Sequence, residues 1–89
     1  MFNVGIGVYR KKDYQEIRRI SEDRDNLDET WEDWKKNKDK AKKGLEEQGL
    51  GITDILVLPK ELVKYCRKRG LSINASSRAQ YIQKKVSEL

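Results

Sequence analysis

The chain has 89 residues, of which 20 are Lys or Arg and 15 are Asp or Glu, so its net charge is +5. It contains one cysteine and no histidine, which excludes Ser-His and Cys-His nucleophile pairs, histidine metal sites, ordinary structural zinc sites and an internal disulfide. A chain of this length is expected to form one domain, residues 1–89, around a small core.

The first predicted element is a strand over residues 2–9. Its apolar residues alternate with small or polar ones and are Phe2, Val4, Ile6 and Val8. Gly5 and Gly7 leave the opposite face bare, so that a helix could approach closely. We favour this packing over a phosphate-binding turn, because Arg10 stands where the dinucleotide-binding motif requires a third glycine.

Two helices are predicted next. Residues 12–21 carry a narrow apolar stripe made of Tyr14, Ile17 and Ile20. Asn26 and Glu29 fit a capping box for a longer helix that ends near Gly49. The inner stripe of this helix is predicted to be Leu27, Trp31, Trp34, Ala41 and Leu45, with Lys38 filling the gap. The two tryptophans are therefore expected to pack at the edge of the core, rather than to form an exposed aromatic platform.

A second strand and a third helix follow. Residues 52–58 predict the strand, and its last four residues are all apolar, so we expect both of its faces to be buried there. Pro59 suits the first position of a helix that ends at Gly70, with Leu71 folding back against it. The inner residues of this helix are predicted to be Leu62, Val63 and Cys66, which makes Cys66 a buried, inert thiol.

The last element is a helix capped by Asn74 or by one of the serines at 76 and 77. Its predicted apolar stripe is Ala75, Ala79, Ile82, Val86 and Leu89. The element order is then β-α-α-β-α-α, an α+β domain with a two-stranded sheet packed on four helices. The connection between the strands is long enough for a right-handed parallel crossover, and antiparallel pairing stays open. Isolated two-stranded sheets are weak, so a homodimer that extends the sheet is a further hypothesis.

Charge is distributed unevenly along the chain. Residues 1–34 have a net charge of −3, whereas residues 59–89 have a net charge of +6. The acidic residues between 22 and 33 lack the spacing of a calcium loop and are expected to lie on solvated surface. The candidate surface for a partner is therefore basic and comprises Lys60, Lys64, Arg67, Arg69, Arg78, Lys84 and Lys85.

Two functions fit this surface. The first is a non-enzymatic protein-interaction or regulatory module without a cofactor or metal, whose partner presents acidic groups. The alternative is a nucleic-acid-binding protein, because the strand, turn and two helices resemble ribbon-helix-helix repressors. Against base reading by the strand, residues 52–58 contain no Lys, Arg, Asn or Gln. No spacing of the remaining carboxylates, lysines and tyrosines predicts a catalytic site, so we expect no enzyme.

The chain also resembles a family of small uncharacterised bacterial proteins. The resemblance rests on Trp31-Glu-Asp-Trp34 and on Tyr65-Cys-Arg-Lys-Arg-Gly-Leu71, with further similarity at residues 8–14 and 77–79. It implies a bacterial cytoplasmic domain and supplies no catalytic residue or ligand. The chain has no apolar run of membrane-spanning length and no basic leader, which also favours the cytoplasm.

Overall fold

The computed structural model describes residues 3–89, and Phe2 of the first predicted strand lies outside the described residues. The elements are β1 (Asn3–Val8), α1 (Lys11–Ile20), α2 (Trp31–Glu47), β2 (Gly51–Leu56), α3 (Pro59–Arg69) and α4 (Ala75–Ser87), with a 3-10 turn at Arg24–Asn26. The predicted order β-α-α-β-α-α and the α+β class are confirmed.

The two strands pair in parallel, which decides the question that the sequence left open. Gly5 lies opposite Thr53 and Gly7 opposite Ile55, and α4 packs over this face of the sheet. A Cβ atom on Gly7 would lie 2.6 Å from Cδ1 of Ile82, and one on Gly5 would collide with Cγ2 of Val86. The close helix approach predicted for the glycine face is confirmed.

The other face of the sheet has a thinner cover. Here α2 contacts β2, and Lys42 pairs with Asp54 at 3.2 Å. Leu56 is 45% exposed, so the expectation that both faces of the second strand are buried is wrong. The stripe predicted for α2 is also wrong at Ala41, which is exposed, whereas Lys38 fills the gap as predicted and Lys42 is half-buried beside Asp54. Lysines at these positions shield the sheet less completely than apolar side chains would.

The start of α2 differs from the predicted capping box at Asn26. Thr30 is the N-cap, and its side-chain oxygen accepts a hydrogen bond from the backbone N–H of Asp33 at 3.1 Å. The reason lies in α1, since the Tyr14 hydroxyl donates to the carbonyl of Asp28 and the Gln15 amide donates to that of Glu29. These bonds fix the segment before α2 against α1. Helix α2 therefore begins at Trp31, and not directly after Asn26.

The core lies between α1 and α3, with the segment after β2 beneath them. Its fully buried side chains are Tyr14, Ile17, Val57, Leu62, Cys66 and Ser21. Leu71 packs against this cluster, and its N–H donates to the carbonyl of Cys66 at 2.9 Å. Gly49 and Gly70 follow their helices with φ of +81° and +65°, the left-handed conformation that glycine adopts readily. Their predicted roles as helix ends are confirmed.

The inner face of α4 is rotated from the predicted stripe. Ala75 and Ala79 are exposed, and Leu89 is 83% exposed. The helix instead buries Ser77, Arg78 and Tyr81, while Ile82 and Val86 pack on the glycine face. Asn74 is the cap, because its side chain accepts from the Ser77 N–H and the Ser77 hydroxyl accepts from the Asn74 N–H.

Candidate interaction surface

Helix α3 presents a buried side and a basic side. Leu62 and Cys66 point into the core, Val63 and Tyr65 flank them half-buried, and the opposite side of the helix faces solvent. These outer positions carry Lys60, Lys64, Arg67, Lys68 and Arg69, all exposed. The cations of the last turn also interact favourably with the carbonyl end of the helix, which helps to stabilise a strongly basic sequence there.

On one side of α3 lies the α1–α3 groove, a concavity of about 480 Å³. Its apolar floor is formed by Ile20 at the end of α1 and by Pro59 and Val63 of α3, which are all half-buried. The charged residues of its rim are Glu16, Arg19, Lys60, Lys64, Arg67 and Lys68. The groove therefore combines an apolar centre with a mostly basic border.

The positive charge of this rim is largely uncompensated. Glu16 accepts a hydrogen bond from Arg19, its neighbour on α1, and this contact raises the pKa of Arg19. Within residues 3–89, no carboxylate lies within ion-pair distance of Lys60, Lys64, Arg67 or Lys68. Four cations are thus available to an anionic partner.

On the other side of α3 lies the α3–α4 cleft, which is smaller, at about 260 Å³. Tyr65 and Tyr81 form its aromatic part, with ring centroids 5.4 Å apart in an edge-to-face arrangement. Burial raises the pKa of Tyr81, and the nearby Glu61 and Glu88 raise it further. The cations around the cleft are Lys64, Lys68, Arg69, Lys84 and Lys85.

The ring of Tyr65 is already covered by cations. The guanidinium carbon of Arg69 lies 3.9 Å from the ring centroid, and Nζ of Lys84 lies 5.6 Å from it. Such cation–π contacts hold the basic side chains against the protein. They also occupy the ring surface on which a nucleobase would stack, so the cleft lacks a free aromatic platform at Tyr65.

The structure brings together six of the seven predicted surface residues. Lys60, Lys64 and Arg67 lie at the groove, while Arg69, Lys84 and Lys85 lie at the cleft. Lys64 and Lys68 line both concavities, so the groove and the cleft adjoin across α3. We call this continuous area the basic face, defined by Arg19, Lys60, Lys64, Arg67, Lys68, Arg69, Lys84 and Lys85.

Arg78 does not belong to the basic face, so the prediction that it forms part of the partner surface is wrong. It is 6% exposed, and its two terminal nitrogens donate to the carboxylate oxygens of Asp23 at 2.9 and 2.8 Å. It also donates to the Ser21 hydroxyl at 3.0 Å. The backbone N–H of Ala75 donates to the same Asp23 carboxylate. Arg78 therefore fastens α4 to the loop after α1.

The α1 contribution to the basic face was missed by sequence reasoning. Glu16, Arg19 and Ile20 border the groove, but the charge asymmetry of the sequence points only to the C-terminal helices. Ile20 belongs to the predicted apolar stripe of α1, yet it stays half-buried at the end of the helix. The one signal in the sequence is the position of Ile20, an apolar residue of this stripe at the very end of α1, where a side chain is less easily covered by the core.

Trp31 and Trp34 do not form an exposed platform, as expected. Both are half-buried and pack against the core, and the Trp31 indole N–H donates to the carbonyl of Tyr9 at 2.8 Å. Trp34 packs on Tyr9, with ring centroids 5.0 Å apart. The prediction that both tryptophans lie at the edge of the core is confirmed.

Cys66, the remaining candidate for chemistry, lies in the core. Cys66 is 1% exposed, as predicted for a buried thiol. Among residues 3–89, no cluster of three or more His, Cys, Asp or Glu side chains is arranged to hold a metal ion. Within the same residues, no helix combines the length and apolar character needed to cross a membrane.

Comparison with protein-family models, with curated proteins and with solved structures returned no match for this chain. The resemblance to a family of small bacterial proteins therefore stays a prediction.

Proposed function

We propose that this protein is a non-enzymatic interaction module that binds an acidic region of a partner protein through the basic face. The observation that carries the proposal is the set of four cations, Lys60, Lys64, Arg67 and Lys68, around one concavity and without ion pairs in residues 3–89. Clustered like charges repel one another, and a partner that brings carboxylates relieves this repulsion.

The apolar floor of the α1–α3 groove favours a protein over other polyanions. Ile20, Pro59 and Val63 offer surface whose burial is favourable only against another apolar surface. A phosphate backbone would satisfy the cations but would leave this floor uncovered. A polypeptide can supply carboxylates and apolar side chains together.

Nucleic-acid binding is the second candidate function. It is favoured by the convergence of basic side chains on one face, which is the arrangement that phosphate contacts require. Two observations weigh against base recognition, since Arg69 covers the Tyr65 ring and the exposed face of the sheet carries Asp54. This candidate is therefore limited to electrostatic binding of the phosphate backbone.

We also propose that the protein self-associates. Leu56 is 45% exposed on the thinly covered face of the sheet, and both strands of a two-stranded sheet keep one unpaired edge. A second copy could cover this region, giving a homodimer that leaves the basic face free. Light scattering that finds only monomer at high micromolar concentration would rule the homodimer out.

The interaction function is tested by an affinity experiment with a charge-reversed control. Wild-type protein and the variant Lys64→Glu/Arg67→Glu are immobilised at equal density and exposed to the same bacterial protein extract. We expect acidic proteins that are retained by the wild type and released by salt to be absent from the variant. Identical retention by both would contradict the proposal.

The nucleic-acid alternative is tested in parallel with a fluorescent 20-base-pair DNA duplex. Electrostatic binding predicts micromolar affinity near 50 mM salt that falls by at least tenfold as salt rises to 200 mM, because each phosphate contact releases counterions, about one per contact. No binding to the duplex at low salt would remove this alternative.

A further inference from the structure

The residues that line the α1–α3 groove extend over about two turns of α3. Pro59 and Val63 are four positions apart on α3, so they lie one turn, about 6 Å, apart along the helix axis. Lys60 and Lys68 are eight positions apart, which corresponds to about 12 Å or two turns. The groove thus offers basic contacts along about two turns of α3 and apolar contacts along one of them.

Two parallel rows of different chemistry run along this groove. The floor row is apolar and includes Ile20 from the opposite helix, whereas the rim row contains Lys60, Lys64, Arg67 and Lys68. A ligand that matches both rows needs an apolar stripe with carboxylates beside it. An amphipathic helix presents such a stripe at positions i, i+3, i+4 and i+7, and acidic residues can flank it on the same face.

We propose that the α1–α3 groove binds a short, acidic, amphipathic helix of a partner protein, with its apolar stripe on Ile20 and Val63 and its carboxylates on the lysines of α3. This inference rests on the proposed function and adds the chemistry and conformation of the partner. Charge complementarity selects the occupant, because the rim holds five cations and only one carboxylate, that of Glu16. Glu16 is itself engaged by Arg19.

The volume of the groove agrees with this occupant. A concavity of about 480 Å³ accommodates a few apolar side chains, but not a folded domain. The apolar side chains would enter the groove, and the body of the ligand helix would lie above it between α1 and α3. Burial of apolar side chains is the main favourable contribution in such a groove, which makes the apolar stripe a strong determinant of affinity.

The experiment compares two synthetic peptides of 16 residues and identical composition. Both contain glutamate and leucine in an alanine-rich helix, but one aligns its leucines at i, i+3, i+4 and i+7, and the other distributes them around the helix. Binding to the full chain is measured by calorimetry at 50 mM salt. We expect the aligned peptide to bind at least about tenfold more tightly, which corresponds to burying two or more methylene groups.

Variants of the groove floor locate the binding site. Val63→Thr keeps the side-chain shape but places a hydroxyl on the floor, and it should weaken the aligned peptide about fivefold. Ile20→Thr, on the opposite wall, should act in the same direction, and it keeps the test valid if one variant fails to fold. Leu56→Thr on the sheet is the matched control and should leave the affinity unchanged.

The outcomes separate this inference from the proposed function. Equal binding of the two peptides, lost in Lys64→Glu/Arg67→Glu but unaffected by Val63→Thr, would overturn the helix-binding inference alone. No binding of either peptide would overturn both. Binding to vesicles with an anionic lipid fraction, with no preference between the peptides, would also overturn the inference, because it would identify the groove as a lipid-headgroup site.

Discussion

Two basic helices, α3 and α4, follow one another in the chain and use their arginines differently. Arg78 of α4 is 6% exposed and makes two hydrogen bonds to Asp23, while Arg67 of α3 is exposed at the rim of the α1–α3 groove. The sequence presents both as members of one basic C-terminal segment. In the structure, one arginine stabilises the fold and the other is available to a partner.

The difference depends on what the rest of the chain places opposite each helix. The loop after α1 brings Ser21 and Asp23 against α4, so that its arginine is paired and desolvated. The end of α1 instead brings Ile20 and the already engaged Glu16 toward α3. Net charge along the chain therefore indicates which segment is basic, but not which of its cations are free.

The largest effect is expected at Arg78. Arg78→Ala removes both hydrogen bonds to Asp23 and leaves this carboxylate, only 16% exposed, without its cation. Loss of one partner of a buried pair costs about 3 kcal/mol or more. We expect this loss in the free energy of unfolding measured by urea denaturation.

Arg67→Ala is the matched control for that experiment. Its side chain is exposed and lacks an ion pair within residues 3–89, so the free energy of unfolding should change by less than about 0.5 kcal/mol. Equal destabilisation by the two variants would contradict the claim that Arg78 stabilises the fold and Arg67 does not.

The contact of α4 with the sheet is tested next by Gly5→Ala. The added methyl group would collide with Val86, whose branched side chain cannot easily move away. Overpacking of this kind costs about 1–3 kcal/mol. Gly44→Ala in α2 is the opposite case, because the added carbon would meet no atom within 4 Å beyond its chain neighbours and the adjacent backbone of its own helix. There we expect the free energy of unfolding to rise by about 0.5–1 kcal/mol. Thermal melts should therefore show a lower Tm than the wild type for Gly5→Ala and a higher Tm for Gly44→Ala.

The Asp23–Arg78 contact also predicts a pH dependence. The hydrogen bonds from Arg78 lower the pKa of Asp23 below its ordinary value of 3.8. Because the folded-state pKa is below the unfolded one, the contribution of Asp23 is complete above about pH 4 and is lost as the pH falls through the folded-state pKa.

Asp23→Asn isolates this contribution from that of the other carboxylates. At pH 7 we expect the variant to be less stable by about 1.5–3 kcal/mol, because the buried guanidinium of Arg78 loses its anion while the amide oxygen of Asn can still accept one of its hydrogen bonds. The difference between wild type and variant, measured in urea, should shrink below pH 3. A difference independent of pH from 7 to 2.5 would contradict the role given to Asp23.

Local patterns in the sequence predict much of the fold. The caps and ends of helices, such as Asn74, Pro59, Gly49 and Gly70, depend on residues only a few positions apart, so they are readable from the sequence. The alternation of Gly5 and Gly7 with apolar residues in β1 is also visible within a few positions of the sequence. These features are sufficient for the element order and the α+β class.

The features that sequence reasoning missed depend on contacts between distant residues. Asp23 and Arg78 are 55 positions apart, and no local pattern links them. The delayed start of α2 at Thr30 arises because Tyr14 and Gln15 bind the carbonyls of the preceding loop. The apolar floor of the groove likewise exists only because the end of α1 lies beside α3.

The most direct test of the account measures stability and binding together in Lys64→Glu/Arg67→Glu. We expect the free energy of unfolding of this variant to stay within about 1 kcal/mol of the wild type, since both positions are exposed. Its affinity for the aligned acidic peptide should fall at least about tenfold, because two attractive charge contacts become repulsive. Unchanged affinity in this folded variant would contradict the claim that the basic side of α3 is the binding surface.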